Sequence, residues 1–204
     1  MRNHPTTRVG AGAYKGRALR YPPVEGKGRA PGAGRIRPTA SRTRESVFDA
    51  LKDEVRGAVF VDLYAAAGGV GIEALSRGAA RVHFVERDPA ALAALEANLA
   101  ACGVEPDRCR IHRMDVARFV AAGGISDPAV RVVYADPPYE GAQAEIDSLL
   151  ALLDEKPYAH VRFLVVEHAG ALSDAGRRWW RPWRTKRFGD TCLTYFTPTR
   201  GSGS

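Results

Sequence analysis

The sequence predicts an α/β fold built on one mostly parallel, doubly wound sheet, with a small basic extension before it and an antiparallel pair at its end. Three observations predict this. Short apolar runs alternate with helical patterns between residues 58 and 167. The first run passes through small residues and glycines directly into a helix, as the opening of a βαβ unit does. The last segment, 184–199, breaks the alternation and reads as a hairpin turning at Phe188-Gly189-Asp190.

In chain order, residues 1–44 hold eleven Lys or Arg and one acid, Glu25, for a net +10, whereas the other 160 residues sum to −3. Residues 21–38 (YPPVEGKGRAPGAGRIRP) are rich in Pro and Gly, which break both periodicities, so a loop is expected to interrupt a small basic hairpin. Residues 39–55 then read as an amphipathic helix. Thr39 or Ser41 is a cap-like start, Glu45 falls in the first turns, and Val47, Phe48 and Leu51 have helical spacing. Strand-like runs follow at 58–65, 82–86, 130–135 and 161–167, with a more polar candidate at 109–114. Helical patterns lie between them at 71–77, 89–101, 116–122 and 144–153. Such runs suit parallel strands covered on both faces.

A chain of 204 residues has room for one α/β domain and a small appended element. The expected division is 1–38 as the basic extension, 39–200 as the domain, and 201–204 (GSGS) as a tail. No apolar run approaches the roughly 20 residues of a membrane span, and the N-terminus lacks a signal peptide's apolar stretch, so a cytoplasmic protein with no membrane partner is expected. Cys102, Cys109 and Cys192 are odd in number and lack CxxC spacing, which supports neither a disulfide framework nor a metal site. His83, His112 and His168 share no spacing and read as structural. The +10 of residues 1–44 points to a polyanionic partner, since Lys and Arg that neutralise phosphates release counterions. Trp179, Trp180 and Trp183, interleaved with arginines, could stack on bases. They are expected instead as a loop whose rings pack on the sheet.

Ligands of open α/β sheets collect at the carboxyl ends of the strands. The first strand ends in VDLYAAAGGVG: Asp62, then the small residues Ala65 to Gly69 and Gly71, then a helix whose first N–H groups are free. The second strand ends in Glu86-Arg87-Asp88, about 20 residues on, where an acid can accept from both hydroxyls of a ribose. The third ends at Asp115, placed to accept from an adenine amino group. The turn lacks G-x-G-x-x-G, and an aspartate before it would oppose a pyrophosphate, which disfavours NAD. A cationic nucleoside, S-adenosylmethionine, fits better.

The fourth strand delivers Asp136-Pro137-Pro138-Tyr139. Alone, such a tetrapeptide is an ordinary turn. Behind a core strand and beside a donor site it can activate an exocyclic base amine, whose lone pair is delocalised into the ring. If the Asp136 carboxylate and the Pro137 carbonyl accept the two N–H bonds, the nitrogen is drawn toward tetrahedral geometry. The prolines hold the acceptors, and Tyr139 offers a face on which an extruded base can stack.

With these motifs in place the chain resembles the RsmD family, bacterial methyltransferases of a guanine N2 amine in 16S ribosomal RNA. YKGRAL (14–19), RPTASRTRESVFDAL (37–51), DLYAAAGGVGIEALSRGA (62–79), FVERD (84–88) and ADPPY (135–139) carry the resemblance over nearly the whole chain. It implies a class I, Rossmann-like seven-stranded methyltransferase sheet ending in an antiparallel hairpin, S-adenosylmethionine as donor, and the small ribosomal subunit as partner; separately, a monomer is expected. Thr39, Tyr64, Ala66, Gly68 and Val116 then join Asp62, Ala65, Gly71, Glu86, Arg87, Asp88 and Asp115 around the donor. Lys15, Arg17, Arg37, Arg42 and Arg44 would grip RNA. Ala66 departs from the family, which usually has glycine there; if the position needs φ > 0, alanine costs on the order of 1 kcal/mol, and its methyl could crowd the methionine moiety of the donor. The insertion 25–35 is a second departure. Two alternatives use the same residues: a DNA adenine or cytosine-N4 methyltransferase, and a non-catalytic RNA-binding assembly factor.

Overall fold

The computed structural model describes residues 5–22, 38–138, 142–155, 158–170, 172 and 177–199. A two-stranded antiparallel pair, β1 (Thr6–Arg8) and β2 (Ala18–Arg20), precedes helix α1 (Pro38–Val55). Then come β3 (Val59–Leu63), α2 (Gly69–Ser76), β4 (Arg81–Glu86), α3 (Pro89–Cys102) and β5 (Cys109–Arg113). The second half holds α4 (Val116–Ala121), β6 (Val130–Ala135), α5 (Ala142–Leu153), β7 (Phe163–His168), β8 (Trp180–Phe188) and β9 (Thr191–Pro198). The main sheet has seven strands in the order β5-β4-β3-β6-β7-β9-β8. Strands β3 to β7 are parallel, and β9 runs antiparallel to both of its neighbours.

This order makes β3 and β6 the switch point. From β3 the chain winds outward through β4 to β5, then returns to lay β6 on the other side of β3, so the loops after β3 and β6 diverge and leave a crevice. All five residues of β3 are buried, as expected for a central strand with helices on both faces. Phe60 joins Phe48 and Leu51 of α1, Ile72 and Leu75 of α2 and Leu95 of α3 on one face. Val61 and Leu63 join Phe119, Ile146 and Leu150 on the other.

Local signals explain the helix ends. Asp88 caps α3 by accepting from the Ala91 N–H at 2.8 Å, Pro89 follows it, and Gly103 ends the helix at φ 69°. Helix α1 starts at Pro38, so Ser41 lies inside its first turn and is not the cap. Strand β8 begins at Trp180, earlier than the predicted 184; the tryptophan segment expected as a loop is largely an edge strand. Its apolar residues are too sparse to show a period.

Gly71 is set by packing as well as by any ligand. A Cβ there would meet Phe84 Cζ and Val82 Cγ1 of β4 at 2.8 and 2.9 Å. Gly71→Ala is therefore expected to destabilise the fold by about 1–3 kcal/mol, the range for overpacking a core. Urea unfolding of both proteins checks this.

The docking place of the basic hairpin has no local signal in the chain. Gly10 and Ala11 N–H donate to the buried Glu73 carboxylate at 2.7 and 3.1 Å, and Ala13 and Tyr14 N–H donate to Ser76 at 2.8 and 2.9 Å. Those residues lie in the later part of α2, so the hairpin tip carrying Lys15 and Arg17 sits toward the edge of the sheet opposite the crevice.

Candidate active site at the carboxyl edge of the sheet

Three parts of the chain meet at the crevice. The first is the β3 turn. Asp62 faces the α2 side of the sheet, is 2% exposed, and accepts from the Gly71 N–H at 2.8 Å. Burial is the main cause that pushes its carboxyl up to about 7; the nearby Glu86 adds to the rise and the Gly71 N–H opposes it. Among the described residues Asp62 forms no ion pair. Beyond it the backbone is left-handed at Tyr64 (φ 60°), Ala66 (φ 47°) and Gly68 (φ 82°). The turn is pinned by Ala65 N–H to Val85 O at 2.9 Å, Gly68 N–H to Ala65 O at 2.8 Å, and the buried Asn98 amide to Ala67 O at 2.9 Å. Ala66 thus occupies the φ that made its methyl a liability.

The second part is the row of acids on the following strands. Glu86 accepts three backbone N–H bonds, from Ala66 at 2.8 Å, Arg87 at 2.7 Å and Asp88 at 2.8 Å. A carboxylate has about four acceptor sites, so little of Glu86 remains open in this arrangement. Asp88 and Asp115 both cap helices, Asp115 accepting from the Arg118 N–H at 2.8 Å, and each caps through one of its two oxygens. Val116 is buried behind Asp115. The Tyr64 phenol bonds to Glu145 of α5; burial first, then that carboxylate, raise its pKa.

The third part is the β6 loop. Leu63 pairs with Ala135, so the next residues, Tyr64 and Asp136, leave adjacent strands side by side. Asp136 and Pro138 are exposed and Pro137 is buried. Tyr139 and Arg37 lie outside the described residues, as do the insertion 25–35 and the Thr39 side chain.

Several groups at this site lie outside the expectations drawn from the sequence. Tyr134 is buried and donates its hydroxyl to Glu167 Oε2 at 2.8 Å. Burial, Glu167 and Asp136 together hold that phenol protonated. The rule of acids at strand ends, applied to 161–167, would have found Glu167. Tyr21 has no local signal; its hydroxyl lies against the amide end of α2, where a side chain on Gly69 would strike it. Arg44, Asp62 and Asp136 all act on its phenol.

Arg44 corrects an expectation. Read as an RNA contact, it is 7% exposed. Its Nη2 donates to Arg8 O at 2.7 Å and Thr7 Oγ1 at 3.3 Å, and its Nε lies 3.6 Å from the buried Glu73 carboxylate. A buried charge needs such partners, so this guanidinium fastens the hairpin to α1 and α2 rather than facing phosphate. Lys15, Arg17 and Arg42 are exposed. Trp180 is buried and donates to Leu153 O at 3.1 Å, whereas Trp183 is 52% exposed. Burial lowers all three histidines His83, His112 and His168, His83 to about 4. No described helix is long and apolar enough to cross a membrane.

A sheet in this strand order, with an acid-lined crevice at its switch point and an antiparallel last pair, defines the class I methyltransferase type of α/β fold. A putative methyltransferase from Escherichia coli, yhhF, superposes with a TM-score of 0.71 at 25% identity over 95% of this chain and 98% of its own. An RNA methyltransferase from Salinibacter ruber, solved with S-adenosylhomocysteine, shares the fold at a TM-score of 0.58 and 22% identity, covering 79% of this chain and 93% of its own. A family model described as conserved hypothetical protein 95 matches residues 7–197, and the chain belongs to that family, the RsmD family its motifs resemble. A putative rRNA methyltransferase of Bacillus subtilis, YlbH, is 33% identical over 79% of this chain and 82% of its own. The ribosomal RNA small subunit methyltransferase D of Escherichia coli is 33% identical over 65% of this chain, a match spanning 60% of that relative.

Proposed function

We propose that the chain methylates the exocyclic N2 amine of a guanine in 16S ribosomal RNA, with S-adenosylmethionine as donor. The observation that carries this is the pairing of Leu63 with Ala135, because it sets the acceptor loop at 136–138 directly beside the turn that follows Asp62. The residues fit the donor. Asp62 is a buried carboxylate with no cation among the described residues, and the amide end of α2 follows it. When bound, S-adenosylmethionine supplies an electrophilic methyl group on a sulfonium.

The chain's own groups do the rest. Asp62 attracts the donor's positive charge, and the second oxygens of Asp88 and Asp115 are acceptors for its hydroxyls and adenine. Glu86, with three of its roughly four acceptor sites taken by backbone N–H groups, has room to accept from one further hydroxyl. The Asp136 carboxylate and the Pro137 carbonyl take the amine's hydrogens and aim its lone pair, and Asp136 is placed to receive the proton released on transfer. That the base is a guanine and the amine N2 rests on the family resemblance; that the RNA is ribosomal is supported by the names of the Bacillus and Escherichia relatives. Transfer of labelled methyl to free 16S ribosomal RNA, or to small subunits lacking the mark, tests the reading; transfer only to duplex DNA would favour the DNA enzyme.

Ala66 is the observation that favours a non-catalytic factor, since its φ of 47° strains the turn beside the donor. Strain already present in the unliganded turn lowers stability, whereas a methyl that crowds the bound donor by about 1 kcal/mol shifts affinity roughly fivefold. Ala66→Gly is therefore expected to bind S-adenosylmethionine several-fold tighter than the wild type in calorimetry. No detectable binding by either protein would support the non-catalytic reading.

A further inference from the structure

The edge strand β8 and its flanks (WRPWRTKRF within 177–190) hold six Lys or Arg and one acid, Asp190, for +5. Residues 45–204 sum to −3, so everything else after residue 44 amounts to −8. This cationic strip is as local as that of the N-terminus. Among the described residues Arg178, Arg181, Arg184 and Arg187 form no ion pair with a carboxylate, and all four are exposed. In the middle of the strip stands Trp183. At 52% exposure it is the one large hydrophobic side chain left exposed among the described residues. Its ring is braced by Phe163 and Tyr195, with centroids 5.3 and 6.1 Å away.

The sheet register relates this strip to the crevice. Ala135 of β6 pairs with Val166 of β7, Val166 with Thr194 of β9, and Thr194 with Thr185 of β8. One cross-sheet row therefore joins Ala135 to Thr185. Because β8 runs in the same direction as β6, Lys186 and Arg187 pass that row on the same side as Asp136 and Pro137. The lateral separation is three strand spacings, roughly 14 Å. The hairpin tip, by contrast, lies on the β4–β5 side of the sheet, with Arg17 Nη1 donating to Ala101 O of α3 and the Tyr14 hydroxyl accepting from Arg108 just before β5.

We propose that β8 is a phosphate-binding rail, with Trp183 as a stacking platform, that holds the RNA flanking the target base; this rests on the RNA-methylating reading above. Cations without acidic partners beside an exposed, braced indole are the combination that binds a nucleic acid strand. Guarding an edge against strand pairing needs less, and Pro182 and the register shift at 182–184 already supply that guard. A second copy of this chain would set +5 against +5.

The test compares wild type, the triple variant Arg181→Gln/Arg184→Gln/Arg187→Gln, Trp183→Ala, and Lys15→Gln/Arg17→Gln in binding and methylation of 16S ribosomal RNA across salt concentrations. In the triple variant we expect at least tenfold weaker RNA binding and a log–log salt slope shallower by about 2, at roughly 0.7 per lost phosphate contact. Turnover at saturating RNA, donor affinity and the thermal midpoint stay as in wild type. Trp183→Ala weakens binding about tenfold with the slope kept. Wild-type slope and affinity in the triple variant, with the wild type binding RNA, overturns the rail and leaves the proposed function standing. So does an equal loss in Lys15→Gln/Arg17→Gln, which marks a general charge effect, or a loss that tracks dissociation of a dimer in sedimentation. A wild type that neither binds nor methylates RNA removes both.

Discussion

Asp136→Ala is expected to lower the methyl-transfer rate by about 10²–10³-fold, the usual loss when one positioned hydrogen-bonding group is removed from a reacting centre. The Asp136 side chain is exposed at the end of β6, so its removal leaves no hole in the core. The strand before it is held on both sides by β3 and β7 and will not move. Donor affinity and the unfolding midpoint are therefore expected to match the wild type. Asp136→Asn is the sharper variant. Its amide keeps one acceptor oxygen but loses the charge and cannot take the released proton. It is expected to retain RNA binding yet fall close to the alanine variant in single-turnover rate, with KM little changed. A wild-type rate in either variant would remove Asp136 from the chemistry.

Asp62 gives the second large effect, and its sign follows from burial. In the folded chain its carboxyl titrates near 7, against an ordinary 3.8. A raised value means that the folded chain keeps a proton the unfolded chain gives up. The stability from this group is therefore complete below about pH 4 and lost as pH rises through 7. Binding a cationic donor requires the ionised form. Donor affinity is accordingly expected to fall about tenfold per pH unit below 7 and to level off above it, until the donor's own amine deprotonates near 8. Asp62→Asn should bind more weakly at pH 7.5, lose the acid limb of the profile, and unfold at higher urea than the wild type at pH 8 without donor. Calorimetry from pH 5.5 to 8 measures the first two, and an unchanged acid limb in Asp62→Asn would assign the titration to another group.

How much of this was legible in the sequence depended on whether a residue's fate is decided locally. The parallel core was legible because its strands are continuous apolar runs and its turns carry glycine and helix caps; β6 was bounded to the residue. Asp62, Glu86, Asp115 and Asp136 can be placed at or next to strand ends from the sequence because strand ends are local features. The edge strand β8 was not, since Arg, Lys and Pro erase the period of a strand that buries only its first residue fully. Arg44 could not be read as buried, because its partners Arg8 and Glu73 come from distant parts of the chain. Tyr21 reaches the crevice only because the hairpin docks on α2, which no pattern near residue 21 reports. The position of Glu86 at the end of its strand is readable from the sequence, but its three backbone bonds belong to the tertiary turn. Ala66 was conditional on the sign of its φ, and the value of 47° decided it.

The most direct measurement is to incubate the protein with methyl-labelled S-adenosylmethionine and small ribosomal subunits from cells lacking it, then digest the RNA and identify the labelled nucleoside. Label is expected in N2-methylguanosine at one position of 16S ribosomal RNA, lost with Asp136→Ala while donor binding persists. Label on an adenine or cytosine amine, or no transfer from a protein that binds the donor, would contradict it.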